Sequence, residues 1–428
     1  MKKLRLTIII FLSCIVYTQA QIVNIPNMYF KLILLNTPGI DINVDNQIQV
    51  SEAAAYNGAI DVSTSSVNIN DLTGIEAFVA LTDLNCSSNT LTTLNLSTCT
   101  ALTYLNCSGN SLTSLDVSAC TALTYLNCLG NGLSSLDVST CTALTFLDCH
   151  YNQLTSLDVT GCTALTSLNC SENQITSMDV TQNTALTIIN CSLNELTSLD
   201  VSQNTALIEL DCGQNQLTSL NVSQNTALIE LNFADNQLTS IDVSQNTDLT
   251  GIECHTNQLT SLDVSQNTAL IELDCNANQI ASLDVSQNTN LTGLDCGGSQ
   301  LTSLDVSHNP VLYSLDCSYN MLTCLNVKNG INFLFDYFYA DGNPNLLCIT
   351  VDNVGYSIIN WDEIDPQATF STNCGNLCAT GINELFTNYP KSLSKIIDLT
   401  GREIQYQKNI MMFYIYDDGS FERVIEFE

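Results

Sequence analysis

From Leu81 to Val327 the chain alternates apolar and polar residues on a fixed 21-residue cycle. One unit reads ALTYLNCSGNSLTSLDVSACT, from Ala101 to Thr121, and the next, from Ala122, reads ALTYLNCLGNGLSSLDVSTCT. Twelve units follow the pattern L-x-x-L-x-C-x-x-N-x-L-x-x-L-D-V. A single unit cannot bury its own apolar stripe, but stacked units share one continuous core. The L-x-C piece alternates with a period of two, which predicts a short strand with Leu and Cys inward and their neighbours outward. An Asn column runs from Asn89 to Asn320 and is broken only at Ser299. At the end of each strand its amide can satisfy backbone groups that a tight turn leaves unpaired.

The pattern resembles the leucine-rich repeat family. The resemblance covers well over half of the chain. It implies a horseshoe solenoid of the α/β type, built mostly from short parallel strands on a concave face. Cysteine at the sixth position resembles the cysteine-ladder repeats of the bacterial surface adhesin internalin J. That column runs from Cys86 to Cys317, with Phe233 in one gap. A second column, Cys99, Cys120, Cys141 and Cys162, occupies a turn position that is Asn from Asn183 to Asn309. In-register parallel strands hold like side chains about 4.8 Å apart. A disulfide wants its Cβ pair closer, at about 3.8 Å, with a twisted S–S torsion. The ladder thiols are therefore expected to be unpaired, filling a narrow interior as small hydrophobes.

The flanks define the remaining segments. Residues 1–20 begin with Lys2, Lys3 and Arg5, continue with an apolar run, and end in Thr18-Gln19-Ala20. This reads as a signal peptide, since the run is too short for a membrane helix. Residues 21–80 are expected to form an N-terminal helical cap. Residues 328–378 are expected to form a C-terminal cap, in which Trp361, Tyr356 and Phe370 close the core and Cys348 and Cys374 form a disulfide. Residues 379–428 predict a small β-domain with a hairpin turn at Asp418-Gly419. That tail resembles the C-terminal sorting domain of type IX secretion cargo from Bacteroidetes, through Gly401, Arg402 and Gly419; the usual leading strand with Pro-Asn-Pro is missing. The resemblance implies contact with the type IX secretion machinery and a secreted or outer-surface location.

Charge narrows the choice of partner. The net charge is −33, and no Lys or Arg lies between Lys31 and Lys328. Such a surface repels phosphate backbones, which excludes nucleic acid, and anionic lipid likewise. No stretch after the leader could span a membrane.

Two parts of the concave face are candidate ligand sites. Tyr104, Tyr125 and Phe146 fall at one position of three neighbouring strands, with Tyr151 beside them. Exposed adjacent aromatics recognise proteins and sugars; equally, such rings stabilise a sheet by stacking on one another. Farther along, Glu209, Glu230 and Glu272 make the same column acidic, beside Asp211, Glu253, Asp274, Asp295 and Asp316. Like charges one strand apart cost stability and invite a cationic companion; the alternative is a solvated acidic face. Catalysis finds little support. His150 and His255 are five repeats apart, about 24 Å, and no carboxylate pair stands out. The expected function is adhesin-like binding of a protein or glycan. The rivals are a rigid acidic spacer and, less favoured, an extracellular enzyme.

One stretch stands apart. DINVDNQIQVSE places Asp41, Asn43, Asp45, Gln47 and Glu52 at the spacing of a calcium loop, between two helix-forming segments. The spacing resembles an EF-hand or dockerin-type loop, with Asn46 where glycine is usual. The resemblance implies calcium as a structural clip in the N-terminal cap.

Overall fold

The structure is a computed structural model. It describes residues 21–63 and 68–375, and within the tail residues 393–397, 402, 403, 405, 412–416 and 421–424. The expected leader, Gly401 and the turn at Asp418-Gly419 lie outside the described residues.

The repeat folds as a leucine-rich repeat solenoid. Fourteen strands of three residues each form one parallel sheet, from Ala59–Asp61 to Tyr337–Tyr339. Each strand pairs with the next at equivalent positions, as in Tyr104↔Tyr125↔Phe146, with no shift of register between repeats. The sheet begins inside the segment read as cap, because Ala59–Asp61 pairs with Asp83–Asn85. It also runs past Val327, since Tyr337–Tyr339 pairs with Ser314–Asp316. Degraded repeats therefore continue into both caps. A second parallel sheet of four strands forms at the C-terminal end, from Ser303–Asp305, Cys324–Asn326, Cys348–Thr350 and Thr369–Ser371. The sequence pattern gives no strand there. Earlier in the chain the same L-D-V segment makes only isolated bridges, such as Asp116↔Asp137.

Alternation explains the interior. Leu105 and Cys107 are fully buried, while Tyr104 and Asn106 point outward and are half-buried. Repeated along the stack, this gives a single core from Val23 to Phe370. The first helix, Met28–Asn36, is capped by Asn27, whose side chain accepts from the backbone N–H of Tyr29 and Phe30. It inserts Phe30 and Leu34 into the open edge of the core. At the other end Trp361 stacks on Phe338 at 4.1 Å and meets Phe335 and Phe370 edge-on. Cys348 and Cys374 are disulfide-bonded, as expected. The tail strands Leu393–Ile397, Met412–Tyr416 and Phe421–Val424 form an antiparallel sheet.

The Asn column ties coil to coil. Asn110 donates from Nδ2 to the carbonyls of Cys86, Cys107 and Ser108, at 3.0, 3.0 and 3.2 Å. Its Oδ1 accepts from the N–H of Leu91 in the preceding coil, at 2.9 Å. One amide thus bonds four backbone groups across two repeats, and each of the three carbonyls also accepts from a second donor. Ser299 is too short to do so, and its hydroxyl is buried with no protein partner.

The turn column works differently. The Cys141 thiol lies 3.8 and 3.9 Å from the carbonyls of Val117 and Cys120. Where the column becomes asparagine, Asn204 Nδ2 donates to the equivalent carbonyls of Val180 and Asn183, at 3.0 and 2.9 Å. Thiol and amide reach the same acceptors, which explains why the two residues exchange here. The amide leaves its Oδ1 over: in all seven asparagines from Asn183 to Asn309 that atom is buried with no protein partner.

Fifteen cysteines are free and buried among the described residues. Burial pushes the Cys107 and Cys170 thiols up to about 12. Thiolate, the reactive form, is therefore suppressed. Native protein is expected to leave these fifteen thiols unlabelled by a thiol reagent that labels them all in denaturant. Asn215→Ala leaves the Leu196 N–H unpaired and removes one of two donors from the carbonyls of Cys191, Cys212 and Gly213, and should cost about 1–3 kcal/mol in chemical denaturation. Asn225→Cys, which keeps a donor and removes an unpartnered oxygen, should cost less than about 1 kcal/mol.

Candidate functional site

The sheet face divides into an aromatic and an acidic half. In the first, in-register pairing sets Tyr104, Tyr125 and Phe146 side by side. Their rings stack nearly parallel, with centroids 4.4 and 4.5 Å apart and planes inclined by 12° and 3°. The rings seal one another's faces and offer their edges outward. The column continues with Ser167, which is too short to cover the outer face of Phe146. Burial, then the charge of Tyr125, raises the Tyr104 hydroxyl above its ordinary value. Tyr151 is not part of this stack. It lies in the turn after the strand with left-handed backbone (φ 54°), is 64% exposed, and rests over Gly130 of the preceding turn. At the end of the Phe146 strand, His150 Nδ1 lies 2.6 Å from Asp148 Oδ1.

In the second half, Glu209, Glu230 and Glu272 occupy the same column as the aromatics, on the strands Glu209–Asp211, Glu230–Asn232 and Glu272–Asp274. Gly251 and Gly293 interrupt them and leave a hollow of about 590 Å³. Its walls include Glu253, Asp274 and Asp295, and Tyr337 and Tyr339 close its C-terminal end. Sequence reasoning passed over these two tyrosines and the glycines. The signal was present as a first strand position that drops to Gly in alternate repeats.

The third strand position carries a structural duty that the sequence did not reveal. Asp211, Asp274, Asp295 and Asp316 each accept from the N–H two residues on, at 2.9–3.1 Å. Only part of the Asp274, Asp295 and Asp316 carboxylates therefore faces the hollow. Burial raises Asp211, Asp274 and Asp295 above the usual carboxylate range. Glu253 is raised by burial and by the neighbouring Asp274. The Asp column on the L-D-V side has the opposite shift. At Asp116, Asp137, Asp158 and Asp179 the Ser or Thr two residues on donates from its hydroxyl and its N–H, which holds the carboxyl below its usual range. Those aspartates cap turns, as the sequence predicts.

The loop from Asp41 to Glu52 closes on its own backbone. Asp41 accepts from the N–H of Asp45 and Asn46, Asn43 from Asp45, and Asp45 from Gln47. Val44 and Asn46 take left-handed backbone, so asparagine does serve where glycine is usual. Glu52 turns both oxygens onto backbone N–H groups, Oε1 to Ile42 and Asn43 and Oε2 to Gln49, in a capping box for the helix Val50–Ala55. Among the described residues, no three His, Cys, Asp or Glu side chains converge closely enough to hold a metal ion.

Comparison with known proteins agrees with the architecture. The family model described as leucine rich repeats (2 copies) matches residues 100–140 and 142–181. The functional domain of InlJ from Listeria monocytogenes, which includes a cysteine ladder, is 32% identical; the alignment covers 89% of this chain and 93% of that one, with a TM-score of 0.55. A leucine-rich repeat protein of Leptospira interrogans is 26% identical over 70% of this chain and 78% of its own, with a TM-score of 0.58. The internalin InlF of Listeria monocytogenes, 21% identical over 82% and 98%, shares the fold with a TM-score of 0.60. No curated protein matches the sequence.

The two sets of shifts act on stability in opposite pH ranges. A raised carboxylate withdraws stability when ionised, and that stability returns as pH falls through its raised value. A lowered carboxylate contributes stability above the usual pKa and loses it as pH falls through the depressed value. The melting temperature should therefore rise as pH drops from 7 toward the ordinary carboxylate range of about 4, then fall below about pH 3. Asp274→Asn should flatten the rise without moving the acid limb, as read by thermal melts across pH.

Proposed function

The chain belongs to the leucine-rich repeat family, and from that premise we propose that it works by binding, as a secreted or cell-surface, adhesin-like protein that takes a protein or glycan partner on its concave sheet face. The observation that carries this reading is the stacked strip Tyr104, Tyr125 and Phe146. Three rings held in register on rigid strands make a preorganised surface that loses little conformational entropy on binding. The charge pattern of residues 1–20 and the tail's resemblance to type IX secretion cargo support export. Among the described residues no helix is long and apolar enough to cross a membrane. A purely structural role as a rigid acidic spacer would leave the strip without a ligand.

Replacing Tyr104, Tyr125 and Phe146 together by Ala should reduce binding of the mature protein to cells, matrix or a glycan array by about tenfold or more. The fold should persist, because all three side chains lie outside the core. Unchanged binding in a variant that melts normally would overturn the aromatic reading and favour the spacer.

Calcium in the Asp41–Glu52 loop is a separate proposal that rests on donor spacing. It requires Glu52 to exchange the N–H groups of Ile42, Asn43 and Gln49 for the ion. Oxygen donors from Asp41, Asn43 and Asp45 suit calcium chemically. Millimolar calcium should then raise the melting temperature of the mature protein, and Glu52→Gln should remove the rise. A flat calcium titration of the unsubstituted protein would rule the clip out.

A further inference from the structure

The acidic half of the sheet face carries a device that the aromatic half lacks. Glu230 folds back over Gly251 of the next strand, where a Cβ would collide with its carboxylate. There it accepts from the Thr250 hydroxyl at 2.6 Å. Two repeats on, the device recurs: Glu272 lies over Gly293 and accepts from the Thr292 hydroxyl at 3.2 Å. Glu209 faces Glu230 across the pair rather than a glycine and lacks this cradle. The alternation is visible in the sequence, where Ile-Glu repeats are followed by Thr-Gly repeats at 229–230 and 250–251, and again at 271–272 and 292–293.

A free glutamate side chain samples many rotamers, and ordering one costs up to about 1.5–2 kcal/mol. Here two are ordered in advance, two strand spacings apart, or about 10 Å. They stand in a chain with no Lys or Arg of its own between Lys31 and Lys328. Beside them runs a second feature of different chemistry. Ile208, Ile229, Ile271 and Tyr313, each next to a strand's first residue, are 40–42% exposed. A charged row and an apolar row, the second interrupted by Thr250 and Thr292, thus lie side by side along the solenoid axis.

We infer that this half of the face docks a basic amphipathic helix lying along the solenoid axis, with one cationic side chain on Glu230, a second on Glu272, and its apolar side against the Ile row. The inference rests on the reading of the concave face as a binding surface, and it names the partner's chemistry. Spacing selects the helix. Residues seven apart lie on one helical face about 10.5 Å from each other. An extended strand puts same-face side chains about 6.8 or 13.6 Å apart, which fits neither glutamate. The half-buried carboxylates beneath, Asp274 and Asp295, add negative potential in a partly desolvated hollow where charge pairs are stronger than in water.

The probes are synthetic helical peptides of equal composition, with two Lys either seven or five positions apart, titrated against the mature protein. The seven-spaced peptide should bind at least about tenfold more tightly, with affinity falling as salt rises. Glu230→Gln with Glu272→Gln should remove that preference, while Glu209→Gln should change binding less than about threefold. Gly251→Ala with Gly293→Ala, which displaces both carboxylates but keeps their charge, should also abolish the preference. Equal binding of the two peptides, or an unchanged preference in the glutamine pair, would overturn the inference, as would spermidine competing as well as the peptide. The Tyr104, Tyr125 and Phe146 triple variant should bind the seven-spaced peptide normally, so failure here is distinguishable from failure of the aromatic reading.

Discussion

The asparagine at the end of each strand joins two consecutive coils through one side-chain amide. Asn215 shows the arrangement: its Nδ2 serves the carbonyls of Cys191, Cys212 and Gly213, and its Oδ1 holds the N–H of Leu196. Three-residue strands leave most of each coil outside regular structure, so most backbone groups must find partners in turns. Buried and unpaired, each would cost about 1–3 kcal/mol. The amide removes that cost for the N–H of the preceding coil, gives three carbonyls a second donor, and locks the two coils in the same orientation. In-register stacking follows from it, and the surface columns follow from the stacking. The ring stack and the glutamate cradles both need neighbours held at one strand spacing.

Periodicity made the fold legible. L-x-C alternation placed Leu105 and Cys107 inside, and the unpaired state of the ladder thiols followed from strand spacing alone. The Asn column could be assigned its role because a buried amide at a turn has few other uses. Legibility ended where the pattern decays. Ala59–Asp61 and Tyr337–Tyr339 join the sheet although their surroundings no longer read as repeats. The second sheet at Ser303–Asp305 was invisible because the same L-D-V sequence forms no named strand earlier in the chain. Its strands form where the C-terminal cap supplies partners at Cys348–Thr350 and Thr369–Ser371.

The candidate sites were legible by column but not by geometry. Column position brought Tyr104, Tyr125 and Phe146 together correctly. It could not say that Tyr151, on a left-handed turn, rests over Gly130 and takes no part in the ring stack. Counting acidic residues found the second half of the face, yet treated all of them alike. The structure separates aspartates that hold turns from Glu230 and Glu272, which lie over a glycine of the next strand and accept from a threonine hydroxyl. The Asp41–Glu52 spacing gave the residues of the loop but not their hydrogen bonds: Glu52 accepts from the N–H groups of Ile42, Asn43 and Gln49.

Unbroken register has a consequence for how such a molecule changes. Because coil follows coil without slippage, any two features on the sheet are separated by a whole number of steps of about 4.8 Å. Gaining or losing one unit would move the aromatic strip relative to the acidic hollow by one step and leave the interior of each intact. Reach and chemistry can then vary independently: the first by counting coils, the second by exchanging residues within a column. The molecule is in this sense a ruler, and its graduations are written at the first position of every strand.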